Sequence, residues 1–281
     1  MNEEDIKPSI VVGVRDGERA ALSYAVSRAR QLGCEIRVVH AFYVPQSTTN
    51  SAYALDVAAG FEAGGNEVLA EARRYVQSLD PTVNVHYILT RGHASPVLLD
   101  ESARAAELVL GPDDSSWVSR LFEGEVCRFV AIGAKCAVVV VPARLTASNA
   151  RHEIVLTAGD EPPAEGPLRY AFEMASASRE SLRILHVAPR GTTELEKELL
   201  SISMSRLLES WQYRYRGVKV ELTIICGDVS SQIRRQSESA SMVVVGRSPA
   251  ARVPYVFERP FAQKMIVRPS CPIAVVPPQL P

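Results

Sequence analysis

The stretch VHYILTRGHASPVLLDESARAAELVLG (Val85 to Gly111) reappears in altered form as VELTIICGDVSSQIRRQSESASMVVVG (Val220 to Gly246), at an offset of 135 residues and without a gap. The same offset continues downstream, where KCAVVVVP, ending at Pro142, aligns with SCPIAVVP, ending at Pro277. Similarity at a fixed spacing indicates a repeated structural unit. We therefore predict two domains, residues 1–146 and 147–281.

Upstream of this stretch the two copies remain similar but differ in length. SIVVGV, which starts at Ser9, aligns with EIVLTA, which starts at Glu153, at an offset of 144 residues. EIRVVHAF aligns with SLRILHVA at an offset of 146 residues. The second copy therefore lacks about ten residues between its second and third strands. The corresponding part of the first copy, Gln46 to Gly60, is rich in Ser, Thr, Asn and Ala, and we predict a surface loop there.

In each copy, five short β-branched runs alternate with longer amphipathic stretches. Continuous apolar runs such as VVVV and IAVV indicate strands that are buried on both faces, as in a parallel sheet covered by helices. Parallel strands need crossover helices, so the predicted fold class is α/β, with two tandem doubly wound five-stranded parallel-sheet domains that are Rossmann-like. Ligands of such sheets bind beyond the carboxyl ends of the strands, near the loops after the first and fourth strands.

Composition and charge exclude several classes of function. Lys and Arg number 31 against 32 Asp and Glu, so the formal net charge of −1 predicts no nucleic-acid partner and no anionic membrane partner. The apolar runs are too short to span a membrane, the first residues do not resemble a secretory signal, and the five cysteines form no CxxC pair. We expect a cytoplasmic protein with reduced thiols. The sequence contains no nucleophile elbow, P-loop, GxGxxG or HExxH motif and no metal-ligand spacing, so we expect no metal site and no enzymatic activity.

The segment after the fourth strand of the first copy, LVLGPDDSSWVSRLFEGEVCRFV, resembles the nucleotide-binding segment of the universal stress protein family in its tandem-domain form. The family motif is Gly, two residues, Gly, nine residues, then Gly followed by Ser or Thr. Gly111 and Gly124 stand at that spacing, whereas Asp114 replaces the middle glycine and Glu125 replaces the Ser or Thr. The resemblance covers nearly the whole chain and implies an adenine nucleotide alpha hydrolase-like fold.

The resemblance also implies which residues would contact an adenine nucleotide. The family usually has Val-Asp-Gly-Ser after its first strand, and here the acid is shifted by one place to Asp16. The end of the second strand, at Ala41, corresponds to the part of the family that lines the base. The candidate residues are Val14, Asp16, Ala41, Gly111, Asp113, Asp114, Gly124, Glu125 and Val126. The ligand would be ATP, ADP or AMP.

Two acids in the motif oppose phosphate binding. Asp114 and Glu125 carry negative charge where the family presents backbone N–H groups and a hydroxyl, and a carboxylate about 4 Å from a phosphate costs about 1–4 kcal/mol in a partly exposed site. Our hypothesis is that Glu125, at a helix start, occupies the place of the anion; the alternative is a solvated glutamate. The second copy departs further, with Pro249 and the pair Arg259–Pro260 in the motif.

We therefore expect a stress-response protein that acts through regulation and interaction, with degraded nucleotide sites and a protein partner that the sequence does not name. The alternative is a sensor that binds ATP, ADP or AMP in its first domain. Two further alternatives stay open: a homodimer, and pairing of the acidic loop of the first domain with the basic loop of the second.

Overall fold

The structure is a computed structural model, and it describes residues 9–44, 54–111, 125–143, 152–158, 163–227, 235–247 and 270–280. These residues form two compact units, the first ending at residue 143 and the second starting at residue 152. The boundary predicted between residues 146 and 147 lies outside the described residues and stays a prediction.

The first domain is an α/β unit with five parallel strands in the order β3-β2-β1-β4-β5. Its described elements are β1 (Ser9–Gly13), α1 (Arg19–Leu32), β2 (Ile36–Phe42), α2 (Ala54–Leu79), β3 (Val85–Arg91), α3 (Ala94–Ser102), β4 (Ala105–Leu110), α4 (Glu125–Gly133) and β5 (Ala137–Val140). The chain runs from β1 outward to β3 and then returns to the other side of β1. The switch in strand order therefore lies between β1 and β4, as predicted for a doubly wound sheet.

The second domain repeats this topology, with parallel strands in the order β10-β9-β6-β7-β8. Its described elements are β6 (Glu153–Ala158), α5 (Glu165–Ser178), β7 (Ser181–Ala188), α6 (Glu194–Arg214), β8 (Val220–Cys226), β9 (Met242–Gly246) and β10 (Ile273–Val276). The central strands of both domains are buried along almost their whole length. The predicted fold class is confirmed.

The prediction of a loop between Gln46 and Gly60 is wrong from Ala54 onward, where α2 begins. Residues 45–53 lie outside the described residues. The alanines near the start of α2 favour a helix, and further along the helix Leu69, Ala72 and Val76 are buried. Packing of that face stabilises the helix enough to include Gly60 and the small residues before it, which the composition assigned to a loop.

One ion pair is buried in the core of the first domain. Arg28 on α1 donates from Nε to Glu107 Oε2 on β4 at 3.2 Å, and the two side chains are 7% and 1% exposed. The strand register places Glu107 beside Ile10, and in the second domain Met242 stands at the same register beside Ile154. The first domain therefore has the carboxylate of Glu107 at a position where the second domain has the uncharged side chain of Met242.

Candidate functional site

A cavity of about 110 Å³ lies at the switch point of the first domain. It is bounded by the carboxyl ends of β1, β2 and β4 and by the first turns of α3 and α4. Four residues that the sequence assigned to a nucleotide site line it: Val14, Ala41, Gly111 and Val126. The structure thus brings together side chains from positions that are more than 100 residues apart in the chain.

Of the other residues assigned to the site, only Asp16 has a side chain that the structure describes. Asp16 is exposed and does not line the cavity, although its backbone N–H contacts a residue that does. Asp113, Asp114 and Gly124 lie outside the described residues. Glu125 is the first residue of α4, and the structure does not describe its side chain. The roles of these residues, including the hypothesis that Glu125 takes the place of an anion, stay predictions.

Glu18 is a residue that the sequence reasoning missed. It immediately precedes α1 and lines the cavity. A Cβ placed on Gly111 would lie 2.5 Å from Glu18 Cγ and 3.3 Å from Glu18 Cβ, so the glutamate side chain packs directly against the glycine. A side chain at position 111 would therefore displace Glu18. The available sequence signal was an acid at the N-terminus of a helix, which is too common to single out one residue.

The carboxylate of Glu18 is held by the backbone of the loop between β1 and α1. Its Oε2 accepts a hydrogen bond of 2.7 Å from the N–H of Asp16. Burial raises the pKa of Glu18, and the opposing effects come from the backbone N–H groups of Asp16, Glu18 and Arg15 and then from the Arg15 charge. Backbone donors gathered at a helix start form the kind of concavity that binds anions. In this domain the carboxyl group of Glu18 accepts a hydrogen bond from such a donor.

His40, on β2, forms part of the cavity wall. Its Nδ1 lies 2.9 Å from the carbonyl oxygen of Val14, so Nδ1 carries the proton and donates it. On another side the ring packs against Gly65 of α2, where an added Cβ would lie 3.1 Å from His40 Cδ2. His40 is fixed in orientation by these two contacts. Its counterpart in the second domain, His186, is 3% exposed and belongs to the core.

In the second domain, the chain's own C-terminal segment contacts the start of α5. The N–H of Gly166 donates to the carbonyl oxygen of Pro278 at 2.8 Å, and Arg169 donates from Nη2 to the carbonyl oxygen of Leu280 at 2.6 Å. Gly246, the counterpart of Gly111, packs against Pro167, whose Cγ would lie 3.2 Å from an added Cβ. The backbone N–H of Gly166 and the guanidinium of Arg169 therefore have acceptors in the protein itself.

Two other types of site are not found in the part of the chain that the structure describes. No group of three or more His, Cys, Asp or Glu side chains there is arranged to hold a metal ion. Among the described helices, none combines the length and the apolar character needed to cross a membrane.

Residues 8–142 match the model of the Universal stress protein family. The chain is 26% identical to Universal stress protein Rv2028c of Mycobacterium tuberculosis over 282 residues, which cover 98% of both proteins. It is 27% identical to Universal stress protein Rv3134c of the same organism over 249 residues, covering 84% of this chain and 87% of the relative.

Solved structures show the same fold. A universal stress protein from Archaeoglobus fulgidus superposes with a TM-score of 0.70 at 17% identity, covering 95% of each chain. A putative universal stress protein from Pseudomonas aeruginosa superposes with a TM-score of 0.54 at 14% identity, covering 96% of this chain and 93% of that one.

Proposed function

Because the chain belongs to the universal stress protein family, we propose that it serves the stress response as a regulatory protein whose first-domain cavity disfavours nucleotide phosphates. One observation carries this proposal: the Glu18 carboxylate sits on backbone donors beside Gly111. Val14, Ala41 and Val126 still give the cavity apolar walls. We assign a base to this apolar part of the cavity, whereas a carboxyl group lies in the part beside Gly111.

The penalty for a phosphate follows from charge and from space. A phosphate near Gly111 would lie close to an ionised Glu18, and two charges about 4 Å apart repel by about 1–4 kcal/mol at the dielectric of a partly exposed site. The Glu18 side chain also contacts Gly111, so a phosphate that approached this backbone would have to displace it. A displaced carboxylate loses its hydrogen bond with Asp16. Both effects lower the affinity for AMP, ADP and ATP relative to a ligand without phosphate.

The second candidate function is a sensor that binds ATP, ADP or AMP in the first domain. The cavity at the switch point favours it, because Val14, Ala41, Gly111 and Val126 meet there as a nucleotide-binding member of the family would require. In this case Glu18 would turn away from Gly111 when the nucleotide binds. The two candidates differ in whether the Glu18 charge controls affinity.

Calorimetric titration with adenosine and AMP separates the two candidates. For the natural chain, we expect adenosine to bind at least as tightly as AMP. The Glu18→Gln variant keeps the size of the side chain and removes its charge, so its affinity for AMP should rise by about tenfold or more, with little change for adenosine. Glu67→Gln, at an exposed position of α2, is the matched control and should change neither affinity.

Either of two results would reject the proposal in favour of the sensor. The first is micromolar binding of AMP or ATP by the natural chain that Glu18→Gln leaves unchanged. The second is a clear preference of the natural chain for AMP over adenosine. Preparations must first be shown to carry no bound nucleotide, by absorbance after acid precipitation.

A further inference from the structure

Helix α6 has apolar residues on two opposite sides. One side faces the sheet, where Met204 and Leu208 are buried. On the other side Leu195, Leu199 and Ile202 are 66%, 59% and 47% exposed. Successive residues of a helix are separated by about 100°, which places these three within about 60° of one another and opposite to Met204. The helix therefore presents a second apolar face that the described chain does not cover.

The exposed face has the spacing of a helix-pairing surface. Leu195, Leu199, Ile202 and Arg206 are separated by four, three and four residues, which is the alternation found where two helices pack along a seam. We call these four residues the α6 seam. Isolated exposed apolar residues are ordinary on a protein surface, whereas a contiguous apolar stripe marks an interaction site.

The helix that carries the seam is well defined at its beginning. Thr193 and Glu196 form a capping box, in which each side chain accepts a hydrogen bond from the backbone N–H of the other residue. Lys197 and Glu194 form an ion pair of 2.7 Å on the same turn. The seam therefore begins on a fixed turn and is available for rigid packing.

The charges along α6 indicate what kind of helix fits the seam. The first turns carry Glu194, Glu196 and Glu198 with only Lys197 opposing them, whereas the seam itself ends in a positive charge at Arg206. A second copy packed in the parallel direction would bring like charges together, with arginine against arginine. An antiparallel copy would bring the arginine of each helix to the acidic start of the other.

We propose that the α6 seam is a self-association surface, on which two copies of this chain pair their α6 helices antiparallel around a twofold axis. In this arrangement Leu199 of one copy packs against Ile202 of the other in two central layers. Leu195 forms the outer layers with Arg206, whose guanidinium reaches the partner copy's Glu198. The contact is isologous, so both seams are used and the assembly closes at two copies. This proposal does not depend on the nucleotide chemistry of the first domain.

Sedimentation velocity on the full chain, from about 1 μM to several hundred μM, tests the proposal. We expect a monomer–dimer equilibrium for the natural chain. Leu199→Asp places a charge in the central layer and should raise the dissociation constant by about tenfold or more. The matched control is Leu32→Asp, which makes the same exchange at an exposed leucine of α1 and should leave the dissociation constant unchanged.

A charge exchange tests the antiparallel direction. Arg206→Glu should weaken the dimer, because it places an acid beside Glu198 of the second copy. The double variant Glu198→Arg with Arg206→Glu restores opposite charges only in the antiparallel arrangement, and its dissociation constant should return to within about threefold of the natural value. Since both positions are exposed, circular dichroism and thermal melting should show unchanged folding.

Three results would overturn the inference. The natural chain could remain monomeric over the whole concentration range. It could form a dimer that neither Leu199→Asp nor Arg206→Glu weakens, which would assign the dimer to another surface. Finally, the double variant could associate no better than Arg206→Glu alone, which would exclude the antiparallel pairing.

Discussion

Replacing the buried arginine of the first domain with methionine is expected to destabilise that domain, and replacing its partner as well is expected to restore it. Arg28 and Glu107 are almost fully buried and hydrogen-bonded to each other. Removing one member leaves an uncompensated charge in the core, which typically costs about 3–5 kcal/mol. Since the free energy of unfolding of such a domain is about 5–15 kcal/mol, Arg28→Met should remove a large part of its stability.

The second domain supplies the template for the compensated variant. Its α5 has the same length as α1, and both helices end at a residue in the left-handed conformation, Gly33 in one and Arg179 in the other. Aligning these ends places Met174 at the position of the arginine, and the strand register places Met242 at the position of the glutamate. Replacing a buried ion pair by apolar residues of similar volume is often neutral or stabilising.

We therefore expect a strongly non-additive double-mutant cycle. Arg28→Met and Glu107→Met should each lower the melting temperature of the first domain by about 10–15 °C, and the double variant should lie within a few degrees of the natural chain. Arg19→Met is the matched control. Arg19 pairs with Glu71 at 3.6 Å on the surface, with both side chains largely exposed, so its loss should cost less than about 1 kcal/mol.

The assay must report the first domain separately from the second. Hydrogen exchange followed by mass spectrometry does so, because peptides that contain β1 or β4 are distinct from those of β6 and β9. We expect faster exchange in β1 and β4 for each single variant and near-natural protection for the double variant. Equal and additive losses from the two single variants would refute the reasoning, since they would show that the two charges do not compensate each other.

Two other predictions concern pH and packing. Hydrogen bonds from the hydroxyl and backbone N–H of Thr82, and then from Arg30, lower the pKa of Asp80 from 3.8 to about 2. The carboxylate therefore stabilises the fold above pH 3.8 and loses this effect as the pH falls to about 2, so Asp80→Asn should melt below the natural chain at pH 7 and converge with it near pH 2. Gly166→Ala would place a Cβ 2.2 Å from a backbone carbonyl oxygen and should destabilise the second domain by about 1–3 kcal/mol in chemical denaturation, whereas Gly217→Ala, where nothing lies within 4 Å, should not.

The strands could be predicted from the sequence because two independent features agreed. The runs around Val109 and Val244 are apolar and β-branched, as strands buried on both faces require. Because the sequence repeats, the strands predicted in one copy could also be checked against those predicted in the other. The start of α2 could not be predicted, because Gly60 and the small residues before it indicate a loop locally. The helix forms there because its later turns pack Leu69 and Val76 into the core, which is tertiary information.

The part of the candidate site that depends only on backbone topology could be predicted from the sequence. Val14, Ala41 and Gly111 follow or end strands, so their convergence at the carboxyl edge of the sheet is a consequence of the fold. Glu18 was not predictable, because its importance depends on which way a side chain turns across a loop. Asp16, which was assigned to the site by its place after β1, is exposed, and its role stays a prediction.

The two domains share a physical feature that no motif shows. Near the start of the helix after the first strand of each domain, one described backbone donor already has an acceptor from the protein: the Glu18 carboxylate for the N–H of Asp16, in the loop before α1, and the Pro278 carbonyl for the N–H of Gly166, in the first turn of α5. Anions bind at helix starts because donors there lack partners, so satisfying them internally removes much of the gain from a phosphate. The acceptor in the first domain is a single side chain, whereas the one in the second is the main chain. A change at one residue should therefore restore phosphate affinity in the first domain, and no side-chain substitution at Pro278 would remove the carbonyl in the second.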